Sequence, residues 1–370
     1  MKDHHRRNSL KGIAIREGNV DLKGCEAQSR SNPSPRHFSP VRVSKDRIIR
    51  RLAGVRPYRP EGFVVKREQF EEKVVVHNYG HGGGGLSLSW GTAHLAMEEA
   101  LAAGGSSCAV LGCGAVGLAT AILMQKKGWK VTIYAKDLPP ETTSNVAGGQ
   151  WTPTSVYSPD EVTPAFRIQF CRASRLAYGY FQALVGDYYG VRWTENFWFE
   201  DKPFELPDFF AELSDLYQDL REVSPEEHPF PRRYGYRFTT PQIETPHYLN
   251  AILRDYRCAG GNIVVKTFHE PADLRVLPEA VVINCTGLGS KTLFDDSTLR
   301  PVKGQLTFLQ PQPEIDYILT ADQAQLYMMP RRDGILLGGS FEDDVSDLQP
   351  TAEFEERVIA GHRELFNALE

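Results

Sequence analysis

The stretch Cys108 to Gly117, CAVLGCGAVG, holds the residues whose type and spacing most clearly do chemistry: an apolar run enters Gly112, Gly114 and Gly117 and leaves into the helical run Leu118 to Lys127. Glycines so placed cradle the pyrophosphate of a dinucleotide. Gly112 allows the tight turn, Gly114 lets the backbone approach the phosphates, and Gly117 lets helix and strand pack closely, so the anion lies on helix N–H groups at Ala115 and Val116. A second strand, Trp129 to Tyr134, follows and leads to the acidic Asp137, the context this motif needs. Next comes LPPETTSNVAGGQWTP, whose Thr142, Thr143, Ser144, Gly149 and Gln150 offer the hydroxyls and backbone donors that hold a cofactor. AVVINCTGLGS, Ala280 to Ser290, reads as a buried strand ending in a glycine turn at Cys285, Thr286 and Gly287, again open to close approach.

These loops need strands and helices to position them. KVVVHNYGHGGGGLSLSWG gives strand, glycine loop and helix start, and Leu86 to Leu101 spaces apolar residues as a helix that AAGGSS ends. Before it, Pro57 and Pro60 stiffen GVRPYRPEGFVVKRE, with a strand at Phe63 to Val65. Asp46 to Leu52 reads as a short strand or helical turn with solvated arginines. Helical stretches are expected at Pro164 to Leu184, Asp208 to Glu222, His247 to Cys258 and Thr351 to Ala368, with strands at Tyr234 to Thr245 and Asn262 to Lys266. Trp193, Phe197, Trp198 and Phe199 read as core. RPVKGQLTFL and LYMMPRRDGILLGGSFE supply strands for a second, mixed sheet, and the alternation of strand and helix argues an α/β protein.

With 370 residues, 41% of them hydrophobic and 24% charged, the chain can bury a large core in two lobes. A net charge of -5 and no basic stripe argue against nucleic acid and anionic membranes. The 6 cysteines lie far apart without metal-type spacing, so reduced thiols in a reducing, cytoplasmic setting are expected, with no metal site. The apolar run Cys108 to Met124 is broken by the glycine fingerprint, so no membrane span is expected. RRNSLKG, Arg6 to Gly12, has the form of a twin-arginine signal, but a charged segment replaces its apolar region. Met1 to Ser44 is polar and aperiodic, and is expected to be a disordered tail.

Together, GCGAVGLATA, TTSNVAGGQWTP, VINCTG, RPVKGQ, YMMPRRDG, GVRPYRP and HNYGHGGGGLSLSWG resemble the D-amino-acid oxidase family of FAD flavoproteins, from about Arg47 to the C-terminus. The resemblance implies an FAD-binding Rossmann-type sheet of the glutathione-reductase kind with a second, mixed or antiparallel substrate-binding sheet. It also implies a division of the chain. Residues 45–73 would be substrate-domain strands carrying Arg56; 74–160 and 261–305 the FAD-binding core; 161–260 a mainly helical substrate domain; and 306–370 substrate domain again. The motif blocks stand in an unusual order, because Arg56 and the glycine loop His77 to Gly91 precede the fingerprint, as in a circular permutation.

The implied reaction is oxidative deamination of a D-amino acid: hydride transfer from the substrate Cα to flavin N5, then hydrolysis to a 2-oxo acid and ammonia, with O2 reduced to hydrogen peroxide. Arg56 would clamp the carboxylate through two N–H bonds, Tyr327 would hydrogen-bond it, and the Gly83 carbonyl would receive the amine. Arg59 is left a structural carboxylate. Gly82, Gly83, Gly85, Leu86 and Ser87 would lie near the flavin ring, while Lys136, Asp137 and Val265 join the cofactor set, the ribose contact falling to Asp137. His77 and His81 read as structural. The family's second active-site tyrosine has no counterpart in Leu319 to Leu326, and PRRDG is expected to expose Arg331 and Arg332. A glycine-type amine oxidase, a dehydrogenase and an inactive flavin-binding homologue remain as alternatives.

Overall fold

The computed structural model describes residues 36–323, 325–367 and 369. Cys25, the twin-arginine-like segment and most of the expected tail lie outside them. In chain order the elements are β1 (Ile48–Tyr58), β2 (Val64–Phe70), β3 (Lys73–Tyr79), α1 (Ser89–Ala102), β4 (Ser107–Leu111), α2 (Ala115–Lys126), β5 (Lys130–Ala135), the single turn α3 (Thr143–Val146), α4 (Pro164–Ala183), β6 (Val191–Glu200) and α5 (Phe209–Glu212). They continue with β7 (Gln218–Val223), β8 (Tyr234–Ile243), α6 (Thr245–Cys258), β9 (Asn262–Val265), β10 (Val281–Asn284), α7 (Ser290–Leu293), β11 (Arg300–Leu309), β12 (Tyr317–Ala321), β13 (Leu326–Arg331), β14 (Gly334–Gly338), β15 (Glu342–Asp343) and α8 (Ala352–Asn367).

Two sheets organise the chain. One is 6-stranded in the order β2-β3-β10-β4-β5-β9, parallel throughout except for the β2 edge. Its central strands are buried and mainly apolar because both faces are covered, as parallel sheets require. α1, α2, α4 and α6 pack there around Trp90, Leu118, Phe170, Phe181, Tyr248 and Tyr256, while Leu274, Leu277 and Leu293 cover the opposite face. The second sheet is mixed and 9-stranded, in the order β1-β11-β14-β13-β12-β6-β8-β7 with β15 on β11. α8 covers one of its faces through Phe354, Val358 and Phe366, and its other face looks into the cleft described below.

The structure corrects several expectations. Asp46 and Arg47 lie in a single 3-10 turn and Ile48 to Leu52 open the 11-residue strand β1, as expected of that stretch, but β1 pairs with β11 while β2 pairs with β3, so the segment 45–73 divides between the two sheets. Asp208 to Glu222 is one helical turn followed by β7, because Arg221 to Val223 pair with β8 while Leu213 and Leu216 turn into the core. Residues 36–44 are packed against the body: Phe38 sits edge-on to Phe197, Phe230 and Tyr317 at 4.9 to 5.2 Å, Val41 is buried, and Arg36 pairs with Glu195. In 161–260, α4 and α6 lie on the 6-stranded sheet while β6, β7 and β8 join the other. β11, at the end of the 261–305 block, also belongs to the 9-stranded sheet. Among the described residues, no helix is long and apolar enough to cross a membrane. The described cysteines are all free.

Candidate active site

The cleft between the sheets begins with backbone. Gly112 has φ 105°, a left-handed conformation reserved for glycine, and a Cβ there would collide with the Cys285 carbonyl. A Cβ on Gly117 would collide with the Gly112 carbonyl, so strand, turn and helix meet at backbone distance. Gly114 differs: a Cβ there would meet only the Ser144 side chain, its Oγ at 3.0 Å, and that oxygen also accepts from the Ala115 N–H at 3.0 Å, on the first turn of α2. Gly114, Ala115 and Val116 line the cleft at the N-terminus of α2, the place where a helix favours a phosphate. Asn284, at the end of β10, shapes the neighbouring turn by accepting from the Thr286 N–H at 3.2 Å and the Thr286 hydroxyl at 2.8 Å.

The second wall comes from β1. Its C-terminal end leaves the 9-stranded sheet beside the Gly82–Gly84 turn, where Tyr58 forms a bridge with His81 and Pro57 approaches Gly287. Arg56 is thereby held at the junction of the sheets. Its guanidinium lies flat on Gly304, where a Cβ would fall 2.5 Å from Nη2; Nη1 donates to the Ser340 carbonyl at 3.1 Å, and the Phe341 ring stacks at 4.6 Å. Tyr327 packs in the same manner on Gly338 and Gly339, neither of which has space for a Cβ. Burial raises the Tyr327 phenol pKa and the adjacent Arg56 charge offsets this in part, so the hydroxyl stays a neutral donor. The Gly83 N–H donates to the Ser155 carbonyl at 2.8 Å, and Gly83 itself opens to the cleft.

Other charged candidates resolve differently. Arg59 binds Asp296 at 3.0 Å, Thr298 at 2.9 Å and the Gly62 carbonyl at 3.0 Å, a structural clamp as expected. Arg331, expected to be exposed, is buried with both forks on Asp333 at 2.8 and 2.9 Å and lies outside the cleft; Arg332 is exposed and pairs with Asp187. His81 is fully enclosed, its Nε2 beside the Thr92 hydroxyl at 2.9 Å, and burial pushes its pKa down to about 3. His77 is lowered too, by burial that outweighs Glu68 at 2.8 Å.

One cleft of about 1510 Å³ collects nearly every predicted site residue: Arg56, Gly82, Gly83, Gly85, Leu86, Ser87, Gly112, Gly114 to Gly117, Lys136, Asp137, Thr142 to Ser144, Gly149, Gln150, Cys285 to Gly287 and Tyr327. That exceeds the usual ~300–1,000 Å³ of a small-molecule site and suits a dinucleotide with a small substrate beside it. Val265 is the exception: it is 70% exposed and off the cleft, because strand alternation turns its neighbour Lys266 inward instead. Lys136 and Asp137 both stand on the rim, 3.7 Å apart. Sequence reasoning missed Tyr157, Trp198, Glu200, Gln323 and Phe341, which also line the cleft. The alternation in NFWFE could have found two of these, since it puts Phe197 and Phe199 on one face of β6 and Trp198 and Glu200 on the other.

Comparison with known proteins agrees with this geometry. The family model described as DAO, FAD dependent oxidoreductase, matches residues 107–370, well over half of the chain. A D-amino acid oxidase of Dugesia ryukyuensis is 29% identical over 274 residues, 71% of this chain and 78% of that protein. A D-amino-acid oxidase of Rubrobacter xylanophilus is 30% identical over 255 residues, 68% of this chain and 74% of that protein. The Homo sapiens D-aspartate oxidase is 30% identical over 262 residues, covering 68% and 73%. Among solved structures, a glycine oxidase from Bacillus cereus ATCC 14579 shares the fold at TM-score 0.55 and 15% identity, covering 72% of this chain and 79% of that one. With a glycine turn that lines the cleft at the N-terminus of α2, and a family model matched over most of its length, the chain belongs to the DAO family of FAD-dependent oxidoreductases.

Proposed function

We propose that the protein oxidises a D-amino acid to the corresponding imino acid, which water converts to a 2-oxo acid and ammonia, and that O2 is the final acceptor. Bound FAD would supply the acceptor for the hydride leaving the substrate Cα. The chain's own part is to bind and orient. Arg56 receives the substrate carboxylate on its planar fork, and the Tyr327 hydroxyl donates to the same group. The Gly83 carbonyl accepts from the amine. These contacts fix which hydrogen on Cα faces the cofactor and so select one enantiomer. No described side chain is proposed as a base, since His77 and His81 are lowered by burial and already paired.

The cofactor would rest on Gly112, Gly114 and the α2 N-terminus, with Asp137 at the ribose, Thr142 to Ser144 and Cys285 to Gly287 alongside, and Gly82 to Ser87 at the ring. The observation that carries the reading is that Arg56 and Tyr327, from strands far apart in sequence, lie side by side on glycine at the mouth of the nucleotide cleft. We further infer that the motif order is a circular permutation, supported by a family match that starts at the fingerprint strand while β1 and β3 still pair inside the two sheets.

The test is product analysis with D- and L-alanine on the FAD-loaded protein. D-alanine should yield pyruvate and an equal amount of hydrogen peroxide, and L-alanine next to none. Pyruvate without peroxide, seen only with an artificial electron acceptor, would make the protein a dehydrogenase, while no pyruvate from any D-amino acid would overturn the reading.

A further inference from the structure

Past Tyr327 the cleft runs on along the 9-stranded sheet. Tyr327 pairs with Thr320 on β12, and Thr320 with Trp198 on β6, so the three share one row and one face. Glu200, two residues beyond Trp198, returns to that face and lines the same cleft. Strand spacing and rise put its Cα about 12 Å from that of Tyr327.

Glu200 is only 8% exposed. Its Oε1 accepts from the Trp198 indole N–H at 2.9 Å and from the Gln323 backbone N–H at 2.7 Å, which fixes the carboxylate. Among the described residues nothing donates to Oε2, and no cation lies within ion-pair distance of it. The nearby Arg232 is already held by Asp322, with both oxygens at 3.0 Å, and by Asp201 and Glu364. Lys202 stands on the exposed rim of the same cleft. With Oε1 committed, Oε2 keeps access to the cleft, where a cation would pair with it, and the adjacent Trp198, which lines the same cleft, suits the same guest.

We propose that Glu200 determines side-chain specificity and favours D-amino acids ending in a cation, D-lysine and D-ornithine above their neutral counterparts. The Tyr327 ring leans over Gly338 and Gly339, on the side of β13 away from Glu200, so a substrate held there must reach across β13 and β12, and a long stem ending in an ammonium is the shape that does so. The inference rests on the D-amino-acid reading above.

Its test compares kcat/KM for D-lysine and D-norleucine, which has the same stem without the ammonium, in wild type and Glu200→Gln. Glutamine keeps the acceptor for Trp198 and Gln323. The wild type should favour D-lysine at least tenfold, mainly through KM, and the variant should lose at least tenfold of that ratio. In calorimetry on the FAD-loaded protein, 6-aminohexanoate should likewise bind at least tenfold more tightly than hexanoate, and Glu200→Gln should erase the difference without any turnover being needed. A ratio unchanged in the variant, or a wild-type preference for D-norleucine or D-glutamate, overturns the proposal, the last by giving Lys202 the deciding charge. Turnover of D-norleucine without preference sinks this inference alone; no turnover of any D-amino acid sinks the reading beneath it.

Discussion

The two walls of the cleft are built on opposite principles. On the 6-stranded side the site is backbone: Gly112 and Gly117 are set by collisions with carbonyls, and the glycine turn and the first residues of α2 line the cleft. On the 9-stranded side the site is side chain laid on glycine, with Arg56 on Gly304 and Tyr327 on Gly338 and Gly339. Backbone sites tolerate little change of any kind, whereas side-chain sites are tuned by what each residue rests on. A single chemistry thus meets a fixed cofactor seat and an adjustable substrate seat.

The largest effect should come from the backbone wall. Gly117→Ala drives a methyl into the Gly112 carbonyl and should abolish both FAD retention and cooperative folding. Gly114→Ala meets only the end of the Ser144 side chain and no backbone, so it should keep the fold, by circular dichroism, while losing FAD. Equal behaviour of the two variants would mean that the seat is not read at backbone level. Behind the substrate wall, Phe38→Ala should cost about 3–5 kcal/mol in chemical denaturation, as a buried ring is lost from the Phe197–Phe230–Tyr317 cluster. A cost below ~1 kcal/mol would make residues 36–44 peripheral.

Gly304→Ala sharpens the contrast directly. A methyl 2.5 Å from the Arg56 guanidinium should displace it and lower kcat/KM for the proposed substrate about 100-fold, with FAD content unchanged. Loss of FAD instead would erase the distinction between the walls. The smallest effect is on stability against pH. Burial pushes His81 down to about 3 and His362 down to about 4, from the ~6.5 of a free imidazole, so the unfolded chain binds more protons between those values. Stability is therefore full above pH 6.5 and falls as pH drops, by about 2 kcal/mol per histidine at pH 5. Denaturation midpoints at pH 7.5 and 5 check this, and His362→Gln should remove about half of the combined loss.

The same division explains what the sequence reveals. The cofactor seat is legible because its residues are consecutive and their spacing is dictated by one strand, one turn and one helix; Gly112, Gly114 and Gly117 need no partner from afar. The substrate seat depends on pairings across the chain, β1 with β11 and β13 with β12 and β14, which local spacing does not encode. Family likeness supplied Arg56 and Tyr327, yet not Gly304 beneath the arginine or Glu200 down the row. Asp208 to Glu222 reads as one helix from the sequence, and only the ladder from β7 to β8 decides otherwise. Phe38 was lost in a polar tail since a single aromatic carries no period, although three distant rings receive it. Val265 turns its side chain outward while its neighbour Lys266 lines the cleft, an alternation set by the pleat of β9.

The central claim is that one short segment, VRPYRP, divides two arginines between the walls: Arg56 reads the substrate carboxylate, and Arg59 ties down Asp296. Steady-state turnover of D-alanine by Arg56→Leu and Arg59→Leu, each with its FAD content measured, tests it most directly. Arg56→Leu should keep FAD and lose three or more orders of magnitude in kcat/KM, about 4 kcal/mol, with Arg56→Lys recovering only part. Arg59→Leu should instead lower stability while the folded fraction turns over normally. Near-normal kinetics in Arg56→Leu, with a folded but inactive Arg59→Leu, would contradict the account and hand the carboxylate to Arg59.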